Sequence, residues 1–385
     1  MTVITTTEEL AAFCARAALH PYVTVDTEFL RERTYYAKLC LLQLAYPGNT
    51  PETAVAVDTL APGLDLAPVY DLFRNPAVVK VFHAARQDLE IFHVDAGVIP
   101  SPLFDTQVAA MVCGFGEQVA YDTLARKIAK ANIDKSSRFT DWSRRPLSEE
   151  QIAYALADVT HLRPVYDYLS QRLARTGRAS WVAEEMDVLN DPDTYRTDPA
   201  TAWEKIKTRT SSPRFLGIVR ELARFREEYA QTRDIPRSRI YKDDALVELA
   251  SLKPQSDADL GKARLLLREG RRGDIAEGIL AAVKRAMEAR PEELPRVTPE
   301  DDRPQGNPAL SDLLRVLVKA RADAEGVAQK LIATSADLDA IAAGRRDVHA
   351  LTGWRREIFG NDALLLCEGK IALAARGPDV VTIRL

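Results

Sequence analysis

The run from Pro291 to Pro308 (PEELPRVTPEDDRPQGNP) places five prolines in 18 residues, and no continuous compact fold can pass through it. Proline lacks the amide hydrogen that helices and ladders need and fixes φ, so this density favours an extended, semi-rigid linker. A second break, Asn190 to Pro199 (NDPDTYRTDP), follows a long helical stretch. The chain of 385 residues therefore divides into three units, 1–190, 209–290 and 309–385, in line with a prior of roughly 150 residues per domain.

In the first unit, Tyr22 to Phe29, Lys38 to Tyr46, Ala54 to Leu60 and Val78 to His83 are short apolar or β-branched runs bounded by turn-forming residues, the signature of strands. Helical periodicity follows in Gln87 to Val94, Thr106 to Cys113, Tyr121 to Ala131 and Ser148 to Arg175. The class expected is α/β with a mixed sheet. The two later units read as helical and share a faint repeat. Residues 239–250 align with 331–342 at an offset of 92, matching Ile240 to Ile332, Leu246 to Leu338, Leu249 to Ile341 and Ala250 to Ala342.

Charge is unevenly spread. The net charge is −4, yet Glu204 to Arg290 holds 20 basic against 14 acidic residues, +6, leaving −10 for the rest. A basic module on an acidic body suits a phosphate-tracking arm beside a metal-binding pocket, or a merely solvated surface. No apolar run approaches the ~20 residues that span a bilayer, and the start lacks a signal-peptide pattern. Cys14, Cys40, Cys113 and Cys367 form no C-x-x-C pair, and no histidine spacing suits zinc. A soluble protein of a reducing cytoplasm is expected, with no membrane contact.

The chemistry concentrates in carboxylates. In VTVDTEF, strand alternation puts Thr24, Asp26 and Glu28 on one face and Val23, Val25 and Thr27 on the other. Two like charges that close raise at least one pKa unless a cation lies between them, and Mg²⁺ or Mn²⁺ fits an all-oxygen donor set. D-x-E recurs at Asp88/Glu90 and Asp323/Glu325, but in helical patterns where i and i+2 diverge. Asp88 itself opens a helix after the Val78–His83 strand, where the helix dipole alone favours an acid. In SEEQIAYALADVTHL, Tyr154, Asp158 and His161 share one helix face.

Taken in order, D-T-E-F, H-A-x-x-x-D, L-F-D-T-Q and Y-A-x-A-D resemble the DEDD exonuclease superfamily, and within it the ribonuclease D family. The likeness runs through VDTEFLRERTYYAKLCLLQLA, FHAARQDLEIF, FDTQVAAMVCG and DKSSRFTDWSRRPLSEEQIAYALADVTHL. The later units look like helicase-and-ribonuclease-D C-terminal (HRDC) modules, although ARLLLREGRRGDIAEG departs from their usual turn pattern. The resemblance implies a ribonuclease H-like 3′–5′ exonuclease domain at 1–190, a basic HRDC domain at 209–290 that meets RNA, and a second HRDC-like domain at 309–385, both small and all-α.

It also implies that Asp26, Glu28, Asp88 and Asp158 hold two divalent metal ions, Mg²⁺ or Mn²⁺, and that Tyr154 marks the tyrosine branch, since Ala153 stands where the histidine branch has its histidine. In the two-metal scheme, ions ~4 Å apart activate a water and stabilise the leaving 3′ oxygen. Tyr154, with a reference pKa near ~10, suits orienting that water rather than deprotonating it. Asp105 reads as a helix cap. Phe29, Gln43, His83 and Trp142 lie in family-like stretches and either contact the RNA end or support the core. The activity implied is trimming of 3′ extensions of precursor tRNA and other small stable RNAs by a monomer, releasing nucleoside 5′-monophosphates. A general 3′–5′ exonuclease on DNA and RNA, and a non-catalytic RNA-binding protein on a nuclease fold, are the alternatives. A helicase is disfavoured because no G-x-x-x-x-G-K-[ST] loop is present.

Overall fold

A computed structural model describes residues 3–134, 136–210, 212–295 and 307–385. Of the proline-rich linker, residues 296–306 lie outside the described residues. Tertiary contacts divide the chain into two compact units. One comprises the described residues of Met1–Glu28, Cys40–Asp191 and Arg303–Leu385, and the other Phe29–Leu39 with those of Pro192–Asp302.

The first unit is built on a mixed six-stranded sheet: β1 (Val3–Ile4), β2 (Tyr22–Leu30), β3 (Lys38–Ala45), β4 (Ala54–Val57), β5 (Val79–Phe82) and β6 (Leu103–Asp105), in the order β1-β4-β3-β2-β5-β6. β4 runs antiparallel to β3 and parallel to β1, while β2, β5 and β6 are mutually parallel. β3 (KLCLLQLA) is buried along nearly its whole length, as a central strand covered on both faces must be. The expected strands are all present. The additional β1 and β6, two and three residues long, are too short to leave a periodicity.

Helices cover the sheet. Phe73, Phe82 and Phe92 pack ring to ring at 4.9–6.4 Å where the helices Ala67–Arg74 and Arg86–Ala96 meet β5. Lys80, buried on β5, donates its ammonium hydrogens to the carbonyls of Asn75 and Val78, both at 2.7 Å, and of Ser101. Burial lowers its pKa to about 8. The stretch expected as one helix over Ser148 to Arg175 is two, Glu149–Thr160 and Leu162–Thr176, parted at His161. Pro164 is the cause: its ring cannot follow a helical carbonyl four residues earlier, at Thr160. Tyr121 to Ala131 is shorter than expected, a four-residue turn of α-helix running into a wide π-type turn at Ala125–Ala129.

The C-terminal part of this unit packs against the helix Ala179–Asn190. Trp354 stacks on Trp181 at 4.4 Å and 9°. The buried Arg355 donates to the carbonyl of Leu331 at 2.7 Å and pairs with Glu184 at 3.2 Å and with Glu185. The helices Pro308–Glu325, Ser335–Ala342 and Asn361–Cys367 are joined by an antiparallel hairpin, β7 (Ile371–Arg376) and β8 (Asp379–Arg384). This corrects the all-α expectation for 309–385. IALAAR is continuous in small apolar residues and reads as helix, while Gly377 at φ +62° closes the hairpin.

In the second unit, the helices Pro213–Arg233, Asp243–Leu252 and Gly273–Glu288 enclose a core centred on the buried Tyr241, whose hydroxyl donates to the Leu222 carbonyl at 2.7 Å. A Cβ at Gly278 would lie 2.1 Å from the Phe225 ring, so the first and last of these helices touch only because that position is glycine. Tyr35 belongs to this unit: its hydroxyl contacts Glu227, and the amides of Tyr35 and Tyr36 both donate to Asp234 at 3.0 Å. The faint repeat has a structural counterpart. Ile240 and Ile332 each end a four-residue helical turn, and Leu246 and Leu338 are buried on the helix that follows. No helix among the described residues is long and apolar enough to cross a membrane.

Candidate active site

Asp26 and Glu28 project from β2, and Asp158 from the last turn of the helix Glu149–Thr160. One carboxylate oxygen from each lies within 4.8 Å of the others. Local sequence fixes both supports. Ser148 and Gln151 form a reciprocal capping box, and Glu149 and Glu150 favour the positive end of the helix. Thr24, on the same face of β2 as the two acids, donates to the Val159 carbonyl at 2.8 Å and lies 3.0 Å from that of Ala45. The hydroxyl of Tyr121 reaches the carbonyls of Ala157 and Asp158 at 3.0 and 2.6 Å, holding the end of the helix. Tyr121 has no distinctive signal in the sequence, and Thr24 showed only its face.

Asp88 is buried in the first turn of the helix Arg86–Ala96, where it accepts a hydrogen bond from Thr27. It adjoins the trio without belonging to the 4.8 Å group. Its place is set by an unusual turn. Ala84 has φ +59°, a left-handed conformation costly for a residue with a Cβ. Asp105 compensates by accepting the amides of Ala84 and Ala85 at 3.0 and 2.9 Å, and that of Gln107 at 2.8 Å. Asp105 thus caps the helix Thr106–Val112, as its sequence context suggests, and ties down the backbone that leads into the helix Arg86–Ala96.

The acids strain one another. Burial first, and the Asp158 charge second, hold the Asp26 carboxyl well above the ordinary range. Burial followed by the charge of Asp26 does the same to Asp88. Glu28 is pushed up to about 10 by burial, then by Asp26, Asp158 and Asp88. Asp158 rises to about 7 through burial, opposed by a hydrogen bond from Tyr154 and by the charge of Arg138. Largely withdrawn from solvent, oxygen-only and mutually repelling, this set fits hard divalent cations, which would replace protons as its counter-charge. Tyr154 is raised by burial and by Asp158, so its hydroxyl stays protonated at neutral pH.

Trp142 is buried with its ring centroid 6.2 Å from that of Tyr154, and its indole nitrogen has no partner among the described residues. Gln43, on β3, is fully buried with neither amide atom paired among the described residues. His83 Nδ1 is 2.9 Å from the Thr106 hydroxyl and its ring is 5.5 Å from Tyr121; burial lowers its pKa. Phe29 is half-buried near the end of β2. The structure therefore brings Asp26, Glu28, Asp158 and Tyr154 together with Asp88 beside them. It places Gln43, His83 and Trp142 in the packing.

Residues 1–174 match a family profile described as 3′–5′ exonuclease, and residues 215–283 match the HRDC domain. The chain is 62% identical over 382 residues to the ribonuclease D of Jannaschia sp. strain CCS1, covering 99% of each chain. It is 51% identical over 386 residues to that of Granulibacter bethesdensis, covering 99% of this chain and 96% of the relative. The crystal structure of Escherichia coli RNase D, an exoribonuclease involved in structured RNA processing, superposes with a TM-score of 0.83 at 27% identity, covering 96% of this chain and 98% of that one. The chain belongs to the ribonuclease D family of 3′–5′ exoribonucleases.

Proposed function

We propose that Asp26, Glu28, Asp88 and Asp158 hold two divalent ions, Mg²⁺ or Mn²⁺, and that the enzyme hydrolyses RNA from its 3′ end to nucleoside 5′-monophosphates. The observation that carries this reading is the convergence of three carboxylates from a strand and a helix within 4.8 Å. When bound, divalent ions supply the polarisation that makes water nucleophilic at neutral pH and stabilises the departing 3′ oxygen. The chain's own residues set the geometry. Thr24 fixes the helix of Asp158 against β2, and Thr27 holds Asp88 through its hydroxyl. Tyr154, protonated and bonded to Asp158, orients the attacking water by hydrogen bonding rather than accepting its proton. Gln43, His83 and Trp142 act through the residues they pack on, and Phe29, half-buried near the end of β2, meets the RNA.

The physiological substrates are 3′-extended precursor tRNA and other small stable RNAs, met by a monomer in the cytoplasm. The basic HRDC module, +6 over Glu204 to Arg290, supplies sequence-independent phosphate contacts, and 309–385 serves as a second HRDC-like module on the nuclease body. The test is a time course on 5′-labelled, 3′-extended RNA with Mg²⁺ or Mn²⁺, beside a chelator control and a matched DNA. A metal-dependent ladder shortening from the RNA 3′ end, with DNA spared, is expected. Equal attack on DNA would indicate a general 3′–5′ exonuclease, and tight binding without shortening a binding module.

A further inference from the structure

The turn preceding the helix of Tyr154 and Asp158 carries two side chains that hydrolysis leaves unused. The segment 136–147 is firmly tied down. Arg145 pairs with both oxygens of Asp58 at 2.8 and 2.6 Å and donates to the carbonyls of Cys40 and Trp142 at 2.7 and 2.8 Å. Gln151 donates to the Thr140 hydroxyl at 3.0 Å, and that hydroxyl donates to the Ser137 carbonyl at 2.8 Å. Trp142 is buried beside Tyr154. The turn is therefore fixed both to the sheet and to the helix of the acid site.

On this anchored turn Phe139 is 90% exposed, more than any other large hydrophobic side chain among the described residues. The Arg138 guanidinium lies 5.2 Å from its ring centroid. The positive charge of Arg138 is felt at Glu28, Tyr154 and Asp158, which places the pair within electrostatic reach of the acids. A phenylalanine held in water contributes nothing to the core and gains only when something covers it. Every nucleobase has a π face that can stack on such a ring, and a cation beside it can neutralise a phosphate. The polymer drawn towards these acids is RNA, whose phosphates the carboxylates repel.

We propose that Arg138 and Phe139 grip the RNA beside the acid site, Phe139 stacking on a nucleobase near the 3′ end and Arg138 neutralising a backbone phosphate. This rests on the exoribonuclease reading above and extends it to substrate positioning. Full-length wild type, Phe139→Ala, Phe139→Trp and Arg138→Gln are compared on single-stranded RNA in two assays. In the cleavage assay with Mn²⁺, Phe139→Ala should raise KM about five- to a hundredfold with little change in kcat, and Phe139→Trp should restore it. Replacing single bases near the 3′ end by abasic residues should erase the difference between wild type and Phe139→Ala where the stacked base is removed, which a merely structural role would not do. Arg138→Gln should reduce the slope of log affinity against log salt by about 0.7. In the binding assay with chelator, 2-aminopurine in the stacked position should be quenched by wild type and not by Phe139→Ala. Wild-type KM and quenching in Phe139→Ala would overturn the proposal. Quenching that depends on Phe139 in a wild type unable to cleave would instead support the grip and overturn the exoribonuclease reading.

Discussion

A buried and a half-buried carboxylate environment lie on strands separated only by β5, and they are built to opposite specifications. At the end of β6, Asp105 is 3% exposed and accepts three backbone amides, from Ala84, Ala85 and Gln107. Its charge is met within the protein. On β2, Asp26 and Glu28 face Asp158; burial raises all three, and the neighbouring acids raise Asp26 and Glu28 further. Their charge requires something from outside. The functional group is the same, so the donor count around it separates a carboxylate that shapes the backbone from those proposed to hold a cation.

That contrast can be broken by mutation. Asp158→Asn is expected to lower the exonuclease rate by roughly a thousandfold or more, since a lost ligand forfeits several kcal/mol of transition-state stabilisation. RNA binding should remain measurable, and wild-type turnover would remove Asp158 from the site. Tyr154→Phe should be milder, slowing cleavage roughly ten- to a hundredfold through a misoriented nucleophile, with the melting temperature unchanged. An unaltered single-turnover rate would show that its hydroxyl has no part in the reaction.

Asp105→Ala probes the other side of the comparison. It strands three amides and removes the compensation for the positive φ of Ala84, so a stability loss of about 3 kcal/mol is expected in denaturant melts. The response of the remaining folded protein to divalent metal should persist; loss of metal response without loss of stability would put Asp105 among the ligands.

The smallest effect concerns pH. The Asp158 and Glu28 carboxyls have folded pKa values of about 7 and about 10 against ordinary values near 4. Between these limits the folded state holds protons that the unfolded chain has released, so stability falls as pH rises. Chelated protein should therefore melt a few degrees lower at pH 8 than at pH 6, with the slope reduced in Asp158→Asn. Metal displaces those protons, so Mn²⁺ should raise the melting temperature more at pH 8. Equal increments at both pH values would argue that the carboxyls are already ionised without metal.

Much of this site was legible because it is written in short periodicities. Alternation along VTVDTEF puts Asp26 and Glu28 on one face, and the i, i+4 spacing aligns Tyr154 with Asp158. What escaped lies where contacts are long-range or irregular. Tyr121 acts through a hydroxyl that reaches carbonyls 36 and 37 residues away, and no local pattern encodes that pairing. Phe139 lies in a turn without periodicity, where exposure is decided by tertiary anchoring through Arg145 and Gln151. The final hairpin was hidden by alanines, and the break at His161 needed Pro164 to be weighed against an otherwise continuous helical pattern. The 92-residue repeat was faint in sequence because only its buried positions match, yet both copies keep a short turn leading into a helix.

The most direct test is to count bound Mn²⁺ by electron paramagnetic resonance on wild type, Asp158→Asn and Asp105→Ala under matched conditions. Two ions per wild-type chain are expected, with at least one lost or greatly weakened in Asp158→Asn and both retained by folded Asp105→Ala. Wild type that binds no Mn²⁺, or an Asp158→Asn variant that binds it as wild type does, would contradict the assignment of the facing carboxylates as the metal site.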